Sequence, residues 1–416
     1  MKHALAPVAA LLIGVSILLT GQGLQGTLLP VRAALEEFST LWIGVMGAAY
    51  FFGFTLGCLR GGELVGRVGH VRVFLAMTAL GSAAPLVHGL FLSPVGWALL
   101  RMISGFCFAV LYLVIESWLN EASTNDNRGA VFSLYAMISL SVLAAGQMMT
   151  LLYDPLGLHL FALASVLVSL GALPVALSTS PSPAIPQSVQ LDLRRLFRIS
   201  PAAAIGCLAT GLANGAFWSL APVFAVSVAG DPALPAWFMT ASVLGGAVLQ
   251  WPLGYLSDKI GRRKIIIASA AIGAGISIVF LGSFDNLNFV TACIAGLMWG
   301  SVAFPLYAIA VAHANDFAEA DDYVMISSGL LLMYGVGAIA GPFIASTIMT
   351  WSNAAGLYAF TGIVHLALVA FVGYRMLRRE SAPDEVHMAF GDALATAHTA
   401  SQVYEDEIQH QADEES

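Results

Sequence analysis

Arg101 lies inside an otherwise uncharged apolar run, residues 95–117, with Phe108 and Tyr112 on the same helical face. A guanidinium beside aromatic rings can grip an anionic group with two hydrogen bonds or stack on a ring. It can equally bond the carbonyls of neighbouring helices and brace them. Glu116, near the end of the same run, is placed to act as a proton-coupling group; the competing reading is an interfacial pair with Arg128 across the next loop. Amides form a second set. Gln22 and Gln25 are i, i+3 neighbours, and Asn214 with Trp218 is an i, i+4 pair. Such groups suit a central cavity that contacts a polar ligand, although amides in apolar surroundings also glue helices together. Gln250 carries the same reading more weakly, as do Gln147, Tyr50, Tyr307, Tyr334 and Trp299.

Other chemistry finds little footing. There is no phosphate loop of the Gly-x-x-x-x-Gly-Lys-Ser/Thr kind. No nucleophile–base pair stands out, so no enzyme, cofactor or nucleic-acid partner is expected. His313-Ala-Asn-Asp316 reads as a hydrated edge, not a metal site, and no metal is expected. Cys58, Cys107, Cys207 and Cys293 all sit in apolar runs without ligand spacing, as small packing residues.

The elements that must hold these groups follow from composition. The 416 residues are 58% hydrophobic and only 10% charged, with a mean hydropathy of +0.82, against roughly 25% charged in soluble domains. Backbone polar groups in lipid must be satisfied within a segment, and no sustained two-residue alternation argues for a barrel. The chain therefore reads as an all-α protein embedded in the lipid bilayer. A span needs about 20 apolar residues, which places twelve near 5–29, 41–62, 72–92, 95–117, 130–152, 156–177, 201–227, 235–257, 265–284, 287–311, 323–349 and 354–376. Lys2 and the apolar stretch to Leu19 imitate a secretory signal but read as the first span, since many others follow. The expected organisation is a six-helix bundle over 1–177, a linker over 178–200, a second bundle over 201–377 and an acidic, disordered tail over 378–416. The tail accounts for the net charge of −8: residues 380–416 hold ten acids and no Lys or Arg. Every Lys and Arg except Arg32 and Arg101 falls on the side shared by both ends of the chain, which reads as cytoplasmic, in an inner or plasma membrane.

The two bundles share a design. Gly254-Tyr-Leu-Ser-Asp258-Lys259-Ile-Gly261-Arg262-Arg263-Lys264 is a basic, glycine-punctuated hinge between two spans, and a weaker copy stands 192 residues earlier. In that register Gly62, Leu64, Arg67, Gly69 and Arg72 meet Gly254, Leu256, Lys259, Gly261 and Lys264. The same offset aligns Gln22-Gly23 with Asn214-Gly215, Pro30-Val31 with Pro222-Val223, and Gly53 with Gly245. Parallel six-helix repeats of this kind let two halves rock about a shared site.

These residues carry a resemblance. Gly254–Lys264 resembles the signature loop of the major facilitator superfamily, Arg101-Met-Ile-Ser-Gly105 resembles its Arg-x-x-x-Gly element, and Gly337-Ala-Ile-Ala-Gly341-Pro342 its glycine–proline bending element. Glu116-Ser117, Asn127-Arg128-Gly129 and Gln250-Trp251-Pro252-Leu-Gly254 are similar to the YcaD-type branch. The resemblance spans about residues 5–377 and implies a secondary transporter. Its first-half loop departs at Gly66, where the family carries Asp. The acids facing Arg67 and Arg72 are then expected from Asp316, Glu319, Asp321 and Asp322.

The expected function is movement of a small organic solute by alternating access, with a proton or other ion as the coupling partner where a gradient is used, by a monomer. Gln22, Gln25, Arg101, Tyr112, Asn214, Trp218 and Gln250 are the expected solute contacts. Gly62, Arg67, Gly69, Arg72, Arg128, Gly254, Asp258, Lys259, Gly261, Arg262 and Arg263 are the expected moving parts. Asp258 is expected to latch onto the start of the fifth span near Arg128. The solute is a polyol, an amphipathic compound or a carboxylate, and Arg101 tilts the choice toward a polar or anionic one. The competing class is a membrane receptor or scaffold that recruits a partner through its acidic tail.

Overall fold

The computed structural model describes residues 2–121, 123, 128–177, 191–228, 230–318 and 322–378. Among these there is no strand. The first half holds α1 (Lys2–Leu35), α2 (Thr40–Val68), α3 (His70–Leu90), α4 (Pro94–Glu121), α5 (Arg128–Met148) and α6 (His159–Ala176). A short helix, Leu193–Ile199, precedes the second half. That half holds α7 (Pro201–Ser227), α8 (Leu234–Ile260), α9 (Arg262–Gly282), α10 (Phe289–Asn315), α11 (Tyr323–Trp351) and α12 (Gly356–Arg378). The result is an all-α membrane protein of twelve spanning helices in two bundles. Eleven of these are both long and apolar enough to cross a bilayer. The twelfth, α8, is as long but carries Gln250, Asp258 and Lys259, so its place is fixed by packing more than by hydropathy. Prolines interrupt without ending the spans. Pro305, which has no N–H, breaks α10 after Ala303.

Backbone contact builds each bundle. A side chain at Gly53 of α2 would run into the Met102 carbonyl of α4, and one at Gly105 into the Tyr50 carbonyl. The second half repeats this: Gly245 of α8 lies on the Leu297 carbonyl of α10, and Gly300 on that of Ser242. Likewise α1 and α5 meet at Gly23 and Gly146, as α7 and α11 do at Gly215 and Gly341. The repeat read from the sequence is thus a repeat of contacts. Without a hydrophobic drive between helices in lipid, such close approach is what makes them adhere. The hinges match too. Gly69 (φ 94°) and Gly261 (φ 101°) take the positive-φ conformation open to glycine, and each N–H caps the helix before it, on Val65 and Ser257.

The halves meet along α2 with α11 and α5 with α8. Gly44 and Gly47 of α2 pack against Pro342 of α11, and Thr240 of α8 donates a 3.4 Å hydrogen bond to Gln147 of α5. These contacts lie at the end away from the basic hinges. Gly335 against Thr55 is nearer mid-helix.

At the basic end the acids are distributed otherwise than the sequence suggests. Asp316 faces neither Arg67 nor Arg72. It sits almost fully buried against Arg262, whose Nε donates to it at 3.0 Å. Arg262 also donates to Ser257 at 3.0 Å and to Asp258 at 2.5 Å. Asp322 pairs with Arg195 of the short helix at 2.7 Å. Arg67 pairs with Glu63 one turn earlier, and Arg72 is exposed. The physical reason is local reach: α9 starts beside the end of α10, so the second half neutralises its own buried cation. Glu319, Asp321, the Arg128 side chain, residues 178–190 and the acidic tail lie outside the described residues. Arg263 donates to His313 at 3.2 Å, and Lys259 lies 4.5 Å over the Tyr255 ring. Gly62 and Gly254 face inward on their helices at the same repeat position.

Two predictions follow from this packing. Gly53→Val and Gly245→Val should each cost at least the roughly 1–3 kcal/mol of an overpacked site, whereas Gly275→Ala, with no atom within 4 Å, should not. Unfolding followed in detergent would check this; equal behaviour of all three would refute the backbone-contact account. Asp316→Ala, which leaves Arg262 buried with only part of its charge answered, should cost about 3 kcal/mol or more. Glu63→Gln, at a half-exposed surface pair, should cost under about 1 kcal/mol.

Candidate functional site

Gln22 ties three helices of the first half together. Its Nε2 donates to the Tyr50 hydroxyl of α2 at 2.9 Å, and its Oε1 accepts from the Tyr112 hydroxyl of α4 at 2.7 Å. The Tyr50 ring in turn lies 4.1 Å under the Arg101 guanidinium. Phe54 touches both Tyr50 and Tyr112, each at 6.2 Å between ring centres. Arg101 is therefore held on a ring face, and among the described residues it makes no hydrogen bond or ion pair. The bracing role takes the form of a cation–π contact between α4 and α2 instead of bonds to carbonyls.

The second half builds a looser version. Asn214 of α7 shares a side-chain hydrogen bond with Tyr334 of α11, while its Oδ1 is buried without a partner. The Tyr334 ring stands 5.0 Å from that of Tyr307 on α10. Tyr307 is the counterpart of Tyr112: the glycine contacts show an offset of 192 at α2 and α8 (Gly53, Gly245) that becomes 195 at α4 and α10 (Gly105, Gly300). Trp218 is occupied otherwise, stacked flat on Phe304 at 5.2 Å. Gln25 is buried, with both amide atoms unpartnered among the described residues. Gln250 is half-buried on α8.

Glu116 joins the two halves. It lies within electrostatic reach of Tyr112 on its own helix, Cys58 of α2, Tyr135 of α5 and, from the other bundle, Tyr307. Among the described residues it has no hydrogen bond or ion pair. The carboxylate thus stands where the bundles face one another.

Gln22, Tyr112 and Arg101 come together around Tyr50, and Asn214 around Tyr334. Gln25, Trp218 and Gln250 are not joined to either group by any hydrogen bond. Sequence reasoning missed Tyr135 and Phe54. It also ranked Tyr307 low, although its match to Tyr112 is legible once three extra residues are allowed between α8 and α10.

Comparison with known proteins agrees with this architecture. A family model described as Major Facilitator Superfamily matches residues 11–234 and 203–398. A relative in Escherichia fergusonii, named as an uncharacterized MFS-type transporter YcaD, is 26% identical over 377 residues, covering 90% of this chain and 96% of its own. The protein of the same name in Salmonella heidelberg is 27% identical over 383 residues, with the same coverage. Among solved structures, the nucleoside transporter NupG superposes with a TM-score of 0.75 at 13% identity, over 90% of this chain and 100% of that one. A bacterial homologue of the human lysosomal transporter Spinster, inward-facing and occupied, gives 0.72 at 13% identity, over 92% and 97%. Twelve helices in two repeated bundles, the paired hinges and a family match along nearly the whole chain lead to one conclusion: the chain belongs to the Major Facilitator Superfamily and is a multi-pass membrane transporter.

Proposed function

We propose that this transporter is a secondary active one, which moves a small organic solute by rocking its two bundles about the gap between Gln22 and Asn214. The observation that carries this reading is the approach of Glu116 and Cys58 in the first half to Tyr307 in the second. Polar and ionisable side chains are costly in a bilayer interior unless they face a cavity or a partner. Here they collect along the facing helices α1, α4, α7 and α10, where alternating access needs a site. Gln22, Tyr112, Asn214 and the neighbouring Gln25 and Gln250 contact the solute, and Glu116 is the group available to a coupling proton. The basic hinges lie on the cytoplasmic side, together with both ends of the chain, in an inner or plasma membrane. The protein works as a monomer, because each half already supplies the other's missing wall.

In this reading Asp258, Arg262 and Arg128, with Gly62, Arg67, Gly69, Arg72, Gly254, Lys259, Gly261 and Arg263, govern the opening of the cytoplasmic side. The pair between Asp258 and Arg262 stiffens the hinge, and a latch from Asp258 to the start of α5 completes it.

Cysteine placed at Gln22 or Asn214, with the four native cysteines replaced, should react with a membrane-impermeant thiol reagent. Solutes that raise thermal stability in a metabolite screen should slow that reaction. Both sites sealed from either face, with no solute protecting either, would refute the central site. Asp258→Asn should raise labelling from the cytoplasmic side at the expense of the other side. An unchanged balance would remove the latch while leaving the central site intact.

A further inference from the structure

Building on the transport reading, we propose that Glu116 and the tyrosines around it recognise an organic cation: a protonated or permanently charged ammonium or phosphonium centre on an apolar body. Two charged residues border the gap, and they differ in how far they are already engaged. Arg101 has its guanidinium 4.1 Å over Tyr50, whose hydroxyl is held by Gln22. Glu116 has neither hydrogen bond nor ion pair among the described residues. The charge left open in the gap is therefore negative.

The surroundings select in the same direction. Glu116 is ringed by Tyr112, Tyr135 and Tyr307, and Tyr334 extends the wall beyond Tyr307. Aromatic faces carry partial negative charge, so they attract a cation and repel an anion. A bare proton would need the carboxylate alone; a bulkier cation uses the rings as well. The tilt toward an anionic solute that Arg101 suggests in the sequence gives way on this geometry.

The repeat isolates the same feature. With Gly105 on Gly300 and Tyr112 on Tyr307, Arg101 falls on Gly296 and Glu116 on Val311. The tyrosine is kept in both halves, while each charge occurs in one. A carboxylate confined to one wall makes a site with a single seat for positive charge.

The test is equilibrium binding of tetraphenylphosphonium to the purified full-length protein, beside benzoate and a neutral sugar. Tetraphenylphosphonium cannot lose its charge, so its binding is free of its own titration. Wild type should bind it in preference to the other two. Glu116→Gln should weaken binding at least tenfold, Glu116→Asp should retain it within a few fold, and Tyr307→Leu should weaken it several-fold. Melting temperature and gel filtration show that each variant is folded. Unchanged binding in Glu116→Gln, or preference for benzoate or the sugar, overturns the proposal. Reconstituted vesicles separate the two claims. Glu116-dependent binding without any uptake upholds this site and defeats the transport reading. Uptake of a neutral or anionic solute that ignores Glu116 does the reverse.

Discussion

Lipid gives apolar helices no reason to prefer one another, so this fold depends on backbone meeting backbone. The seams at Gly53 and Gly105, and at Gly245 and Gly300, let main chains approach until a side chain would collide with a carbonyl. Dispersion between closely fitted surfaces replaces the solvent drive that builds soluble cores. The cost of that economy is rigidity. A seam fitted this closely cannot slide by a fraction of a turn, so each bundle moves as a body. The interface between bundles uses fewer such fits, and its direct hydrogen bond from Thr240 to Gln147 is long at 3.4 Å.

Polarity follows the same division. Inside the second bundle, Phe217 stacks on Trp299 at 4.3 Å and Phe280 on Tyr358 at 3.9 Å, in dry aromatic layers. The hydroxyls and amides that carry longer-range contacts collect instead around Tyr50, Tyr112, Tyr307 and Tyr334. Duplication supplied a symmetric scaffold. Function then entered by breaking it, at Arg101 opposite Gly296 and Glu116 opposite Val311. The single cation is spent on bracing α4 against α2, which leaves the carboxylate free to act.

Much of this was legible in the sequence. Apolar run length marked the spans, and the paired hinges with Gly69 and Gly261 marked the repeat, because a positive φ leaves a glycine in the sequence. The register of Gln22 with Asn214 pointed to the facing helices. What was not legible depends on side-chain reach. Nothing in the spacing says that Arg101 turns onto Tyr50, or that Asp316 is claimed by Arg262 before Arg67 can meet it. A constant offset also hides Tyr307, since three inserted residues shift the register between α8 and α10. Tyr135 has no repeat partner of its own kind, so symmetry could not reveal it.

The short helix Leu193–Ile199 has a consequence for how the protein is made. Leu196 is buried, with Gly329 of α11 close against it, and Arg195 is bonded to Asp322. Yet the ribosome delivers this helix long before α11 has left the exit tunnel. Until then Leu196 has no cover, and Arg194, Arg195 and Arg198 beside it favour a resting place among anionic lipid headgroups. Docking of this segment is therefore a late step of biogenesis, completed only when the eleventh span has inserted.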